Sequence, residues 1–143
     1  TDVPAIVALL ADDPLGVQRE AVGASAADLA PYLAAFDAVA ADPAHQLVVA
    51  DDGGRIAGTL QLTLIPGLAR RGALRAQIEA VHVAAPDRGR GLGGAMLRWA
   101  IDEARARGAA LVQLTTDKSR VDARRFYRRL GFVDSHEGMK LQL

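Results

Sequence analysis

Apolar residues change period along the chain, and each change marks an element. Near the start, Ile6, Leu9 and Leu10 form one helical stripe, with Thr1 or Asp2 as cap and Pro4 in the first turn. A second helix is predicted over Ala26–Ala41, where Leu29, Leu33, Phe36 and Val39 lie near one face and Pro43 sits just past the end. The stretch QLVVADDGGRIAGTLQLTLIP then reads as strand, turn and strand, with DDGGR as the turn. Thr59, Gln61 and Thr63 alternate with Leu60, Leu62 and Leu64, the two-residue period of a half-buried strand. Residues 67–72 form a loop and residues 74–83 a further strand. A glycine-rich loop leads into a helix ending near Arg107, with Leu97, Ala100, Ile101 and Ala104 as its buried stripe and Gly108 as its stop. Residues 110–116 read as a short strand, and residues 121–130 as a helix burying Ala123, Phe126, Tyr127 and Leu130. Gly131 caps that helix, and residues 132–135 and 139–143 are expected to be closing strands. Helices come first, then three mostly antiparallel strands, then alternating strands and helices. The fold class is α/β (α+β), a mixed sheet with helices on both faces.

Composition narrows the function. The 143 residues fit a single domain, half of them hydrophobic. Seventeen basic residues balance seventeen acidic ones, which argues against a dedicated nucleic-acid binder. With no cysteine there is no thiol catalysis, disulfide or cysteine-ligated metal. His45, His82 and His136 lie far apart, without metal-motif spacing, so no metal is expected. The apolar run AIVALL is too short to span a bilayer, and a cytoplasmic protein is expected.

The most informative stretch is VHVAAPDRGRGLGGAM, Val81 to Met96. A strand enters glycines, and the glycines open a helix. The first turn of a helix has unpaired N–H groups and the positive end of the macrodipole. Gly89, Gly91, Gly93 and Gly94 let a ligand approach that backbone, and Arg88 and Arg90 bring positive charge. This combination suits a phosphate or diphosphate. A P-loop needs Lys followed by Ser or Thr after its last glycine, and neither is present. Gly89, Gly91 and Gly94 satisfy G-x-G-x-x-G, but the distance from Val83 to Gly89 is too long for the tight turn of a dinucleotide fold.

The third pattern is R-x-x-G-x-G, made by Arg88, Gly91 and Gly93. Here the chain resembles the GNAT superfamily of acyl-CoA-dependent N-acetyltransferases. The segment DARRFYRRLGF, Asp122 to Phe132, resembles that family's second signature, A-x-x-F-Y-x-x-x-G-F. The resemblance implies a mostly antiparallel sheet splayed between the family's fourth and fifth strands, the usual first strand being absent before Thr1. It also implies acetyl-CoA as co-substrate, its diphosphate gripped by Arg88, Gly89, Arg90, Gly91, Leu92, Gly93 and Gly94. The backbone of Val81, His82 and Val83 would pair with the pantetheine arm, and Phe126 would contribute to the cofactor side. Many members carry Asn where this chain has Arg120, which then either meets a coenzyme phosphate or is a solvated helix start. Homodimers occur among relatives, so a dimer is a further expectation.

An amine attacks a thioester only when deprotonated, although its ordinary pKa is about 10. A base and an acid are therefore needed. The resemblance places Tyr127 near the coenzyme sulfur, as the acid; the alternative is a purely packed ring. Glu79, on the strand AQIEAVHV, is the candidate base, alternatively an exposed carboxylate ion-paired with Arg75. Strand alternation puts Gln77, Glu79, Val81 and Val83 on one face and His82 on the other. His82 is a lesser candidate for the base. Arg70, Arg71 and Arg75 either recognise an acidic amine or decorate a hairpin. His136 and Glu137 either line a pocket or sit at a bend. Arg124, Arg125, Arg128 and Arg129 form a basic face, read as solvated. The expected reaction is direct acetyl transfer from acetyl-CoA to a small primary amine in a ternary complex. A protein or peptide amine as acceptor, or a non-catalytic acyl-CoA sensor, is the alternative.

Overall fold

The computed structural model describes residues 1–20 and 25–143. They divide into two compact units, residues 1–113 and 114–143.

The first unit opens with helix α1, Val3–Leu10, and one helical turn, α2, Gly16–Arg19. Helix α3 spans Ala26–Ala41, and the Ser25 hydroxyl accepts from the Asp28 N–H as its cap. Strands β1, His45–Asp52, and β2, Arg55–Ile65, form an antiparallel hairpin through the expected DDGGR turn. Strand β3, Arg75–Val83, pairs antiparallel with β2, and helix α4 covers Leu92–Ala106. Strand β4, Leu111–Gln113, closes a four-stranded mixed sheet in the order β1-β2-β3-β4. The second unit holds helix α5, Val121–Arg129.

β2 is the spine of the core. Leu60 and Leu62 are fully buried, and Ile78 lies opposite Leu62 in the β2–β3 register. Helix α4 packs on β2 and β3 with Gly94, Met96, Leu97, Ala100 and Ala104 buried, and Met96 lies against Gly58. Thr59 points to the opposite face and is also buried; its hydroxyl donates to the Val48 carbonyl at 2.9 Å, so the burial leaves no orphaned donor. Helix α1 packs against β2, β3 and α3, with Val3, Ile6, Val7 and Leu9 buried.

Three expectations need correction. No strand forms over residues 132–143, where Val133, Met139, Leu141 and Leu143 are all exposed. The alternation of the last three is real, but without a partner ladder an alternating run does not become a strand. β4 is shorter than the expected 110–116. The face of the α5 helix expected to be buried, Ala123, Phe126, Tyr127 and Leu130, is only half-buried; in α3 too no residue is fully buried, and Leu33 is exposed. The loop after β2 contains a left-handed turn, with Arg70 at φ 55° and Arg71 at φ 60°.

The chain turns tightly between α1 and α2. A Cβ on Gly16 would lie 2.0 Å from the Leu10 carbonyl oxygen, a backbone atom that cannot swing aside. Gly16→Ala is therefore expected to destabilise the fold by about 1–3 kcal/mol, the usual range for forced overpacking. A denaturant midpoint equal to that of the wild type would contradict this.

Candidate active site

Two interruptions of the sheet shape the site in the first unit. The β3–β4 ladder pairs only Arg75 with Leu111, Ala76 with Val112 and Gln77 with Gln113. From Ile78 onward that edge of β3 has no strand partner among the described residues. This is the splay the sequence led us to expect, here between β3 and β4.

The second interruption was not foreseen. Thr59 pairs with His82 and Gln61 with Glu79, so Ala80 and Val81 together oppose Leu60 as a β-bulge. Ala80 takes the left-handed conformation, with φ 52°. Paired residues share a face, and Thr59 and Gln61 lie on the same one. His82 and Glu79 therefore project to the same side, and Val83, opposite Gly58, projects to the other. The alternation expected from the sequence fails here because the bulge inserts one residue.

Glu79 is exposed and lies opposite Gln61 of β2. Its carboxylate accepts from Gln77 Nε2 at 3.1 Å, and the Gln77 carbonyl oxygen accepts from Gln113 Nε2 at 2.8 Å. A glutamine relay anchored on β4 thus holds the carboxylate, which is exposed, as the alternative reading had it, with Gln77 rather than Arg75 as its partner. His82 faces the segment after α1. Its Nδ1 lies 3.8 Å from Asp13 Oδ2, and both side chains are 16% exposed. The other Asp13 oxygen accepts the N–H groups of Leu15 and Gly16 at 3.0 and 2.6 Å.

Beyond β3, the residues Ala85–Asp87 form a single 3-10 turn before the glycine loop. Gly91 is the residue before α4; it sits at φ 86°, and no side chain caps the helix's first turn. A Cβ on Gly89 or Gly91 would meet nothing within 4 Å, so the space beside these two α-carbons is open. Arg98, one turn on, lies against Gly94, where a Cβ would be 3.1 Å from its Nη1. A cleft of about 310 Å³ opens beside the loop, lined in part by Asp52, Asp87, Arg90 and Leu92.

The loop arginines behave differently from one another. Arg88 donates to the Val83 carbonyl at 2.9 Å and to both the carbonyl and the carboxylate of Asp12 at 3.0 Å, tying the loop to the end of α1. Arg90 is 75% exposed, with its nearest carboxylate, Asp87, 4.0 Å away. Asp87 takes a two-pronged bond from Arg55 at 2.7 and 3.1 Å. That contact holds the Asp87 carboxyl below, and the Arg55 guanidinium above, their ordinary values.

The second unit carries Tyr127. Its ring stands 5.3 Å from Phe126 and 5.9 Å from Phe132, centre to centre. Burial pushes its phenol above the ordinary value, and the nearby Arg120 charge opposes that rise. Arg120 is the residue before α5 and provides no side-chain cap. Arg124 and Arg128 both bond Asp134, whose single negative charge offsets one of the four arginines of the expected basic face.

Residues 8–132 match the sequence profile of the acetyltransferase (GNAT) family. The chain belongs to the GNAT family. The crystal structure of a transcriptional regulator from Bacillus halodurans C-125 is 44% identical and superposes with a TM-score of 0.94, covering 99% of this chain and 93% of that one. A putative acetyltransferase from Agrobacterium tumefaciens str. C58 is 28% identical with a TM-score of 0.84, covering 99% and 94%. Aminoalkylphosphonate N-acetyltransferase from Salmonella typhimurium is 45% identical over 60 residues, 42% of this chain and 39% of that protein. The chain thus matches well under half the length of this curated relative. No described helix of this GNAT protein is long and apolar enough to cross a membrane.

Sequence reasoning singled out the glycine loop, Glu79 and Tyr127. It missed Asp12, Asp13, Arg98 and the Arg55–Asp87 contact. Only Asp13 carried a local signal: Asp before Pro, ahead of a helical turn, is a turn-initiating pattern.

Proposed function

We propose that the chain is an acetyl-CoA-dependent N-acetyltransferase whose acceptor is a small primary amine. The observation that carries this reading is the open amino end of α4, entered through left-handed Gly91 and left without a side-chain cap. Such an end favours a diphosphate through its N–H groups and its dipole. When bound, acetyl-CoA supplies an activated acyl carbonyl and a thiolate leaving group.

The chain's residues do the rest. The N–H groups of Leu92, Gly93 and Gly94 hold the diphosphate, with Gly89 giving clearance and Arg90 adding charge. Arg88 keeps the loop in place through Asp12 and Val83. The edge of β3 at Val81, His82 and Val83, which no strand pairs among the described residues, offers backbone groups to the peptide-like arm. Phe126 packs beside Tyr127, and Arg120 serves a coenzyme phosphate. Tyr127 gives its proton to the departing sulfur. Glu79 takes the proton that the nitrogen loses as it bonds to the acetyl carbon. Exposed Arg70 and Arg71, and the acceptor class in the curated relative's name, favour an amine that also bears an acidic group.

Thiol release from acetyl-CoA, followed with primary amines with and without a carboxylate or phosphonate, tests the reading. Amine-dependent release is the expected result. The likeness to a transcriptional regulator supports the second reading, an acyl-CoA sensor. Saturable acetyl-CoA binding with no release across the panel would favour that sensor. Glu79→Gln is expected to lower kcat at neutral pH by about 10²–10⁴-fold, the range of acid–base assistance, with acetyl-CoA affinity retained. An unaltered kcat would remove Glu79 from the reaction.

A further inference from the structure

We infer that His82, held by Asp13, is a second proton acceptor in this reaction; the inference rests on the transferase reading above. A primary ammonium must shed two protons to become an amide: one before it attacks and one as the new N–C bond forms. Glu79 accounts for the second. The first leaves a group whose ordinary pKa is about 10, and it needs its own acceptor.

Three features place His82 there. The Ala80 bulge turns its side chain to the face of Glu79. It stands on the stretch of β3 whose edge lacks a strand partner, where the acyl arm is assigned. Its Nδ1 faces Asp13 at 3.8 Å, a separation that must shorten by several tenths of an ångström to become a hydrogen bond. Catalytic hydrogen bonds are commonly long before substrate binds. Asp13 is itself fixed by two backbone N–H bonds to its other oxygen. An Nδ1–H directed at that carboxylate sets the tautomer and puts the lone pair on Nε2. Nε2 takes one proton from the ammonium, the resulting imidazolium is balanced by Asp13, and the proton then passes to water. Charged groups near the pair include Asp12 and Arg88, bonded to each other, and Glu79 on the same face. His82 is thus a catalytic residue and Asp13 a positioning residue.

The test is the pH dependence of kcat for the full chain with acetyl-CoA and the best amine found. In the wild type, kcat is expected to fall on acidification as the imidazole takes up its proton, because a protonated imidazole accepts nothing. His82→Gln should lose that limb and about tenfold or more of kcat at neutral pH. Asp13→Asn keeps an oxygen for the Leu15 and Gly16 N–H groups but removes the charge, so the limb should move to lower pH with acetyl-CoA affinity unchanged. Glu79→Gln should retain the limb. A His82→Gln enzyme with the limb in place and kcat within twofold of wild type would overturn the inference alone. So would an unmoved limb in Asp13→Asn, which also decides the matter should His82→Gln fail to fold. A wild type that binds acetyl-CoA yet releases no thiol with any amine would instead overturn the transferase reading, and this inference with it.

Discussion

Tyr127→Phe is expected to lower kcat by about 10²–10⁴-fold while leaving the affinity for acetyl-CoA within about twofold. The substitution keeps the ring and so preserves the contacts with Phe126 and Phe132. Only the hydroxyl group, with its ionisable proton, is lost. Burial raises the pKa of this phenol, so it keeps its proton across the neutral range and beyond the ordinary tyrosine value of about 10. A general acid works only while protonated. On the alkaline side the wild-type kcat should therefore hold past neutrality and decline only in strong alkali, and the variant should lack that alkaline decline. Steady-state kcat against pH for both proteins reads the outcome. A Tyr127→Phe enzyme with wild-type turnover would leave the ring as packing alone.

The second large effect is on stability. Leu62→Ala is expected to destabilise the protein by about 2–5 kcal/mol, the range for truncating a buried leucine. Leu62 has no exposed surface, lies in β2 opposite Ile78, and belongs to the face on which α4 packs. Neighbouring strands hydrogen-bond to both edges of β2, so the space left behind cannot close by strand movement alone. At a size near 150 residues the thermal midpoint should drop by about 4–20 °C. Calorimetry would decide it, and a drop under 2 °C would mean that this face repacks freely.

Much of this was readable before any coordinates. The helices over residues 26–41 and 121–129 and the β1–β2 hairpin follow from period and turn chemistry. The glycine-opened helix is legible because Gly89 to Gly94 and the arginines sit between a strand pattern and a helical stripe. Other features were not legible, for identifiable reasons. Ala80 carries no sequence mark of positive φ, since glycine or asparagine would ordinarily signal it. Its conformation is imposed by the ladder on either side, and it reversed the expected orientation of His82. The closing strands failed because Met139, Leu141 and Leu143 supply alternation but find no ladder. The Asp12–Arg88 and Asp13–His82 contacts join residues some 70 positions apart, beyond any local pattern.

The bulge has a lasting consequence for how β3 tolerates change. Ala80 acts as a phase shift: side chains before and after it obey opposite parity along the strand. Swapping one residue for another leaves that parity intact. Deleting a single residue between Glu79 and His82 would straighten the strand, move the imidazole away from Asp13 and leave the hydrophobic content nearly the same. Grafting these nine residues onto a regular hairpin would fail for the same reason, since the spacing of the site is stored in an irregularity of the backbone rather than in the letters alone.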